Sequence, residues 1–147
     1  MKRVLVVHYS QTGQLSDILR STVAPLEAAP DIEVTWLPIE PVTPYPFPWP
    51  AGFFFNTFPE TVYEDVDPIK PVALPANTDF DLVILGYSVW FLSPSKPITA
   101  FLQSAEAKTL LAGKPVITVI GCRNMWLSAQ ERMKEQLSAL GAHLIDN

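Results

Sequence analysis

The sequence predicts a doubly wound α/β domain built on a parallel five-stranded sheet. Three observations carry this reading. Short runs of four to six apolar residues alternate with stretches in which apolar residues recur every three or four positions, the pattern of buried strands joined by helices. One run, Asp81-Leu82-Val83-Ile84-Leu85-Gly86, is apolar through its middle, as a strand covered on both faces must be. The 147 residues, 48% hydrophobic and 17% charged, suffice for one sizeable core and argue against two independent ones.

The elements follow in order. Val4 to His8 is the first strand. Leu15, Ile18, Leu19, Thr22, Val23 and Leu26 then fall at helical spacing, and Pro30 is expected to mark the end of that helix. Glu33 to Leu37 is the second strand and Asp81 to Gly86 the third. A loop follows, then a short helix near Pro97 to Leu102. Val116 to Gly121 is the fourth strand. Ser128-Ala129-Gln130-Glu131 reads as a capping box for a helix with Met133, Leu137 and Leu140 facing inward and Gly141 at its end. His143 to Asp146 begins a fifth strand.

Between the second and third strands, residues 38–78 form an insertion or lid of different character. Ten of the chain's 15 prolines lie here, and the alternation Pro44-Tyr45-Pro46-Phe47-Pro48-Trp49-Pro50 fits neither a helix nor a central strand. Phe53, Phe54, Phe55 and Phe58 are placed on a short helix and expected to be buried, since disordered segments are poor in aromatics. After the fifth strand no final helix follows to cover one sheet face. The expectation is that the natural chain continues past Asn147 or that a partner subunit, as in a homodimer, covers the gap.

Composition narrows the function. A net charge of -5 without any run of lysine or arginine removes the electrostatic footprint of a nucleic-acid or anionic-membrane binder. Mean hydropathy is high at +0.20, yet no apolar run approaches the roughly 18 to 20 residues of a membrane span. Met1-Lys2-Arg3 followed by Val4-Leu5-Val6-Val7 imitates a secretion signal, but His8 and Gln11 interrupt it too early. A single cysteine, Cys122, excludes an internal disulfide and a multi-cysteine zinc site, and cytoplasm is the expected location. The partners expected are a small-molecule substrate or a redox partner protein.

The chemistry concentrates in three loops. Ser10-Gln11-Thr12-Gly13-Gln14-Leu15 joins the first strand to the first helix, where two hydroxyls, successive backbone N–H groups and the positive helix end converge on one anion. Gly13 permits the tight turn. No lysine lies in this loop, so it is not a nucleotide-triphosphatase loop, and no GxGxxG follows a strand. The anion expected is a monophosphate held by neutral donors. An ordinary capped turn would use the same residue types; position decides, because ligands of doubly wound sheets sit at the carboxyl ends of strands beside the switch in strand order.

The second loop is Tyr87-Ser88-Val89-Trp90-Phe91-Leu92-Ser93-Pro94 and the third Cys122-Arg123-Asn124-Met125-Trp126. Each carries a tryptophan where a flat ring would lie. Apolar faces at Val89, Trp90, Phe91, Leu92 and Trp126 suit an isoalloxazine, and backbone amides with Asn124 could serve its pyrimidine edge. The alternative is that Trp90 and Trp126 anchor the core or lid; the agreement of three separate loops favours the flavin.

With these motifs in view, the chain resembles the flavodoxin and NAD(P)H:quinone reductase superfamily: His8-Tyr9-Ser10-Gln11-Thr12-Gly13-Gln14, the run Gly86 to Pro94, and Gly113-Lys114-Pro115-Val116 leading to Cys122-Arg123-Asn124-Met125-Trp126 carry the likeness. It covers nearly the whole chain outside the proline-rich insertion. Closer still are flavodoxin-like proteins assigned to dialkylresorcinol biosynthesis, which share the Tyr-Pro-Phe-Pro-Trp-Pro insertion and are longer. The resemblance implies strand order 2-1-3-4-5, FMN as cofactor, NAD(P)H as a candidate donor, a quinone-like acceptor, and a role in oxidising a cyclohexanedione ring to an aromatic resorcinol. Two departures stand out: Leu15 replaces a phosphate-binding threonine of the superfamily, with Ser16 beside it, and Ser88 replaces a proline.

Other chemistry is disfavoured. His8 and His143 lack a carboxylate at a suggestive spacing, and no metal site is expected. Cys122 does not match a phosphatase loop and reads as a buried, inert thiol. No Gly-x-Ser-x-Gly elbow occurs. The two ring loops contain no acidic residue and one cation, Arg123, which would stabilise an anionic reduced flavin and tilts the reading to a two-electron FMN-dependent oxidoreductase. The alternatives are a flavodoxin-type electron carrier, or an interaction module of the same fold that has lost FMN.

Overall fold

The computed structural model describes all 147 residues. Parallel strands β1 (Lys2–His8), β2 (Ile32–Pro38), β3 (Leu82–Trp90), β5 (Pro115–Gly121) and β6 (His143–Asp146) form one sheet in the order β2-β1-β3-β5-β6, while the two-residue β4 (Ser93–Pro94) pairs back on β3. Leaving β4 aside, this is the order 2-1-3-4-5. Strand order reverses around β1, which lies between β2 and β3 with Val6 facing Trp36 on one side and Ile84 on the other.

Helices cover both faces. Helix α1 (Gln14–Glu27) presents Leu15, Leu19 and Val23, four residues apart and all buried, to Val4, Val6 and Ile84. It ends at Glu27, before Pro30, with Ala28 closing it through its N–H to Ala24. The opposite face holds the larger core, where α3 (Lys96–Leu102), α4 (Ala105–Leu111) and α5 (Leu127–Ala139) cover Leu5, Val7, Val83, Leu85 and Val116. On the α1 side the last strand is bare: Ile145 is 59% exposed.

Three local expectations are corrected. The capping box does not form. Helix α5 begins at Leu127, Glu131 pairs with Lys134, and Gln130 turns into the core, where it accepts the Tyr87 hydroxyl at 2.6 Å and donates to Thr118 at 3.1 Å. Helix α4 escaped the sequence reading, although Ser104 caps it by accepting from the Ala107 N–H and its inward Ala107, Leu110 and Leu111 keep helical spacing. Strand β3 runs on to Trp90 instead of stopping at Gly86, so Ser88 is held in register with Gly121.

The insertion is ordered but inverted. Its helix α2 (Ala51–Val62) buries Thr57 and Thr61, whose hydroxyls bond back to the carbonyls of Phe53 and Thr57. The phenylalanines expected inside are only partly covered: Phe53 packs on Tyr45 and Trp49, and Phe54 and Phe58 on Phe91, yet Phe58 remains 48% and Phe55 71% exposed. The physical reason is the cation beneath α2. Lys96, only 2% exposed, pairs with Glu60 of α2 and with Asp67 beyond it, so the polar face of the helix turns inward.

Candidate functional site

A cavity of about 450 Å³ opens at the carboxyl ends of β1, β3 and β5. The sheet topology places it there, since the loops leaving adjacent parallel strands converge at one edge. It is lined from the first loop by Ser10, Gln11, Thr12, Gln14 and Leu15, from the second by Ser88 and Trp90, and from the third by Cys122 and Arg123. Ile18, Ile120 and Gly121 also line it and were missed by sequence reasoning. Their signal was positional: Ile18 is one turn into α1, and the other two are the last residues of a central strand.

The first loop is built as a donor array. Gly13 adopts φ 89° at the helix start, which an L-residue rarely tolerates. Its N–H bonds the Ser10 hydroxyl oxygen at 3.0 Å, leaving the hydroxyl hydrogen free to donate outward. The first intrahelical bond falls at Asp17, whose N–H reaches the Gly13 carbonyl at 3.0 Å. The N–H groups of Thr12, Gln14, Leu15 and Ser16 therefore meet no acceptor in the chain, and the helix dipole adds positive potential there. Leu15 contributes its backbone alone, because its side chain is buried against Val4 and Ile84.

Around the second loop, β3 reverses into β4 through Phe91 and Leu92, with Trp90 facing Ser93 and Val89 facing Pro94. Both turn residues have positive φ, 51° and 64°, the combination that two-residue hairpins usually assign to Asn-Gly. Trp90 is buried beneath the insertion, its ring edge-on to Tyr45 at 4.9 Å and to Trp49 at 5.1 Å. It thus anchors the insertion and walls the cavity at once. The insertion also reaches the first loop, where the Gln11 side-chain amide donates to the Pro46 carbonyl at 2.9 Å.

Not every residue expected at the site comes to the cavity. Val89 and Phe91 line a neighbouring apolar pocket, and Leu92 lies on the surface. Trp126 lines an adjoining groove beside Thr22 and Val119, which shares Ile120 and Cys122 with the cavity. Asn124 is exposed, its side-chain oxygen accepting the Met125 N–H and its carbonyl accepting the Cys122 thiol. This third loop curls on itself beyond β5, so Cys122 is exposed at the cavity mouth instead of buried.

The electrostatics are simple. Arg123 is the one charged residue lining the cavity, with no carboxylate beside it. His8 ends β1 in the interior, edge-on to Trp36 at 5.6 Å, and burial followed by the charge of Arg20 holds its imidazole below the usual 6.5. It is a neutral core residue. Burial likewise pushes the Tyr9 phenol up to about 12.

This order of strands, with its helices on both faces and a cavity at the switch point, is the flavodoxin-like α/β fold. A flavoprotein from Lactobacillus acidophilus NCFM, solved in complex with FMN, superposes with a TM-score of 0.75 at 15% identity, covering 99% of this chain and 91% of that one. A flavodoxin-type WrbA-like protein from Agrobacterium tumefaciens gives 0.58 at 10% identity over 99% and 77%. A Fusobacterium nucleatum flavodoxin bound to flavin mononucleotide gives 0.54 at 12% identity over 99% and 70%. No family model matches the chain, and no curated protein matches it in sequence.

Proposed function

We propose that the chain binds FMN in the 450 Å³ cavity and acts as an FMN-dependent oxidoreductase that passes hydride or electrons from NAD(P)H, or from a cyclic dione that becomes aromatic, to a quinone-like ring. One observation carries the proposal: the acceptor-free backbone N–H groups of Thr12, Gln14 and Leu15 and the hydroxyls of Ser10 and Thr12 belong to residues that line an open cavity at the switch point of the sheet. The volume lies within the roughly 300–1,000 Å³ of small-molecule clefts. The FMN bound in neighbours of this fold is consistent with it.

FMN supplies reversible two-electron chemistry on a flat ring when bound. The chain supplies the rest. Ser10, Thr12 and the N–H groups of Gln14, Leu15 and Ser16 would hold the phosphate with neutral donors. Ser88, Trp90, Ile120 and Gly121, which line the rest of the cavity, would hold the ring. Arg123, unopposed by any carboxylate in the cavity, stabilises negative charge there, whereas a low-potential one-electron carrier needs the opposite balance. Trp90, backed edge-on by Tyr45 and Trp49, closes the cavity with apolar surface on the side of the insertion.

The test is turnover. The FMN-loaded chain, given NADH or NADPH with menadione as acceptor, is expected to consume the nucleotide at a rate proportional to enzyme. Bound FMN without turnover on any donor–acceptor pair contradicts the enzymatic reading and leaves an electron carrier.

A further inference from the structure

We infer that the apolar pocket between α2 and the β3–β4 turn is a second binding site, built for a flat, uncharged ring. It has a volume of about 280 Å³ and is lined only by Trp49, Phe54, Val89, Trp90 and Phe91. Its place beside the cavity as the seat of the electron acceptor rests on the FMN reading above; its capacity to bind a ring does not.

Four features converge on it. The first is the inversion of α2, which buries threonines and leaves Phe54 at 36% and Phe55 at 71% exposure. A helix that spends its polar face on Lys96 presents its aromatic face to something else, and exposed apolar clusters of this kind mark binding surfaces. The second is the Phe91-Leu92 turn. Two bulky residues at positive φ are held against their steric preference, and the ring so positioned packs edge-on to Phe54 at 4.8 Å and Phe58 at 4.9 Å.

Contiguity is the third. Trp90 lines both this pocket and the larger cavity, so ligands in the two would share one indole as a common wall. The fourth is chemical. No ionisable side chain lines the pocket, so a charged ligand would lose its hydration without a counter-ion. A pocket this small takes one or two fused rings and excludes a peptide helix.

The experiment is calorimetric titration of the full chain with 2-naphthol and with 2-naphthoate, which share the ring and differ in charge. Expected is one saturable 2-naphthol site, with 2-naphthoate at least about ten-fold weaker. Phe54→Ala should weaken 2-naphthol by about ten-fold while leaving the thermal unfolding cooperative, and Phe55→Ala, outside the pocket, should leave it unchanged. No saturable binding, equal affinity for the carboxylate, or indifference to Phe54→Ala overturns the site. So does a dimer that Phe55→Ala splits without any 2-naphthol binding, since a second copy would then own the aromatic face. A parallel FMN titration separates the two claims: FMN bound without 2-naphthol removes this pocket alone, and 2-naphthol bound without FMN removes the proposed function alone.

Discussion

The ammonium of Lys96 lies 2.5 Å from a carboxylate oxygen of Glu60, and through this contact the first turn of α3 holds α2 to the body of the fold. Asp67 completes the cluster at 2.9 Å and itself accepts the Tyr45 hydroxyl at 2.6 Å. Tyr45 packs on Trp90. A chain of contacts thus runs from a buried cation through the insertion to the wall of the candidate site.

The cluster makes an ordered prediction about stability. Glu60 and Asp67 are about half exposed at 48% and 53%, so they return to water when Lys96 is removed, whereas Lys96 at 2% cannot. Lys96→Met should cost only about 1–2 kcal/mol, and the double change Glu60→Gln with Asp67→Asn about 3 kcal/mol or more, because it strands a buried charge. Urea denaturation of the three proteins checks the order.

The same cluster sets a pH window. Burial lowers the pKa of Lys96, but hydrogen bonds to Glu60 and Asp67 and their charges outweigh it and hold the ammonium above 10.5. Burial raises that of Asp67, but hydrogen bonds from Tyr45 and Lys96 and the Lys96 charge outweigh it and hold the carboxyl below 3.8. The depressed carboxyl contributes stability that is full above 3.8 and lost as pH falls through its folded value, and the raised ammonium contributes stability that is full below 10.5 and lost as pH rises through its own. Urea midpoints across pH should therefore fall at both extremes, and the difference between the parent chain and Lys96→Met should shrink there.

Gly86 fixes how closely α1 approaches the sheet. A Cβ at this position would stand 2.4 Å from Leu19 Cδ1, and Leu19 is fully buried with little room to yield. Gly86→Ala should destabilise by about 1–3 kcal/mol through overpacking. An unchanged urea midpoint would show that α1 shifts freely.

Cys122 offers a chemical report on the site, because it is exposed and lines the cavity. Ellman's reagent should titrate one thiol in the folded protein, and saturating FMN should slow the reaction at least about ten-fold by occupying the space beside the sulfur. Equal rates with and without FMN would place the ligand elsewhere.

Much of this arrangement was legible in the sequence because it depends on local signals. Strand periodicity gave the order of the elements, and Ser10, Thr12 and Gly13 between β1 and α1 identified the donor array. What escaped depends on contacts distant along the chain. Nothing near Glu60 and Asp67 in sequence marks them, because Lys96, 36 residues after Glu60, meets them only in the folded chain, and with that contact the inversion of α2 follows. Cys122 lies in the open because β5 ends at Gly121 and the chain after it turns outward, which the failure to match a phosphatase loop does not reveal. Trp126 and Asn124 lie outside the cavity for the same reason.

The most direct measurement is flavin fluorescence during titration of the purified apoprotein with FMN and, separately, with riboflavin, which lacks the phosphate. The account predicts quenching that saturates at one FMN per chain, with riboflavin at least about ten-fold weaker because the N–H groups of Gln14, Leu15 and Ser16 lose their anion. A folded chain that binds neither flavin, or binds both equally, would contradict it.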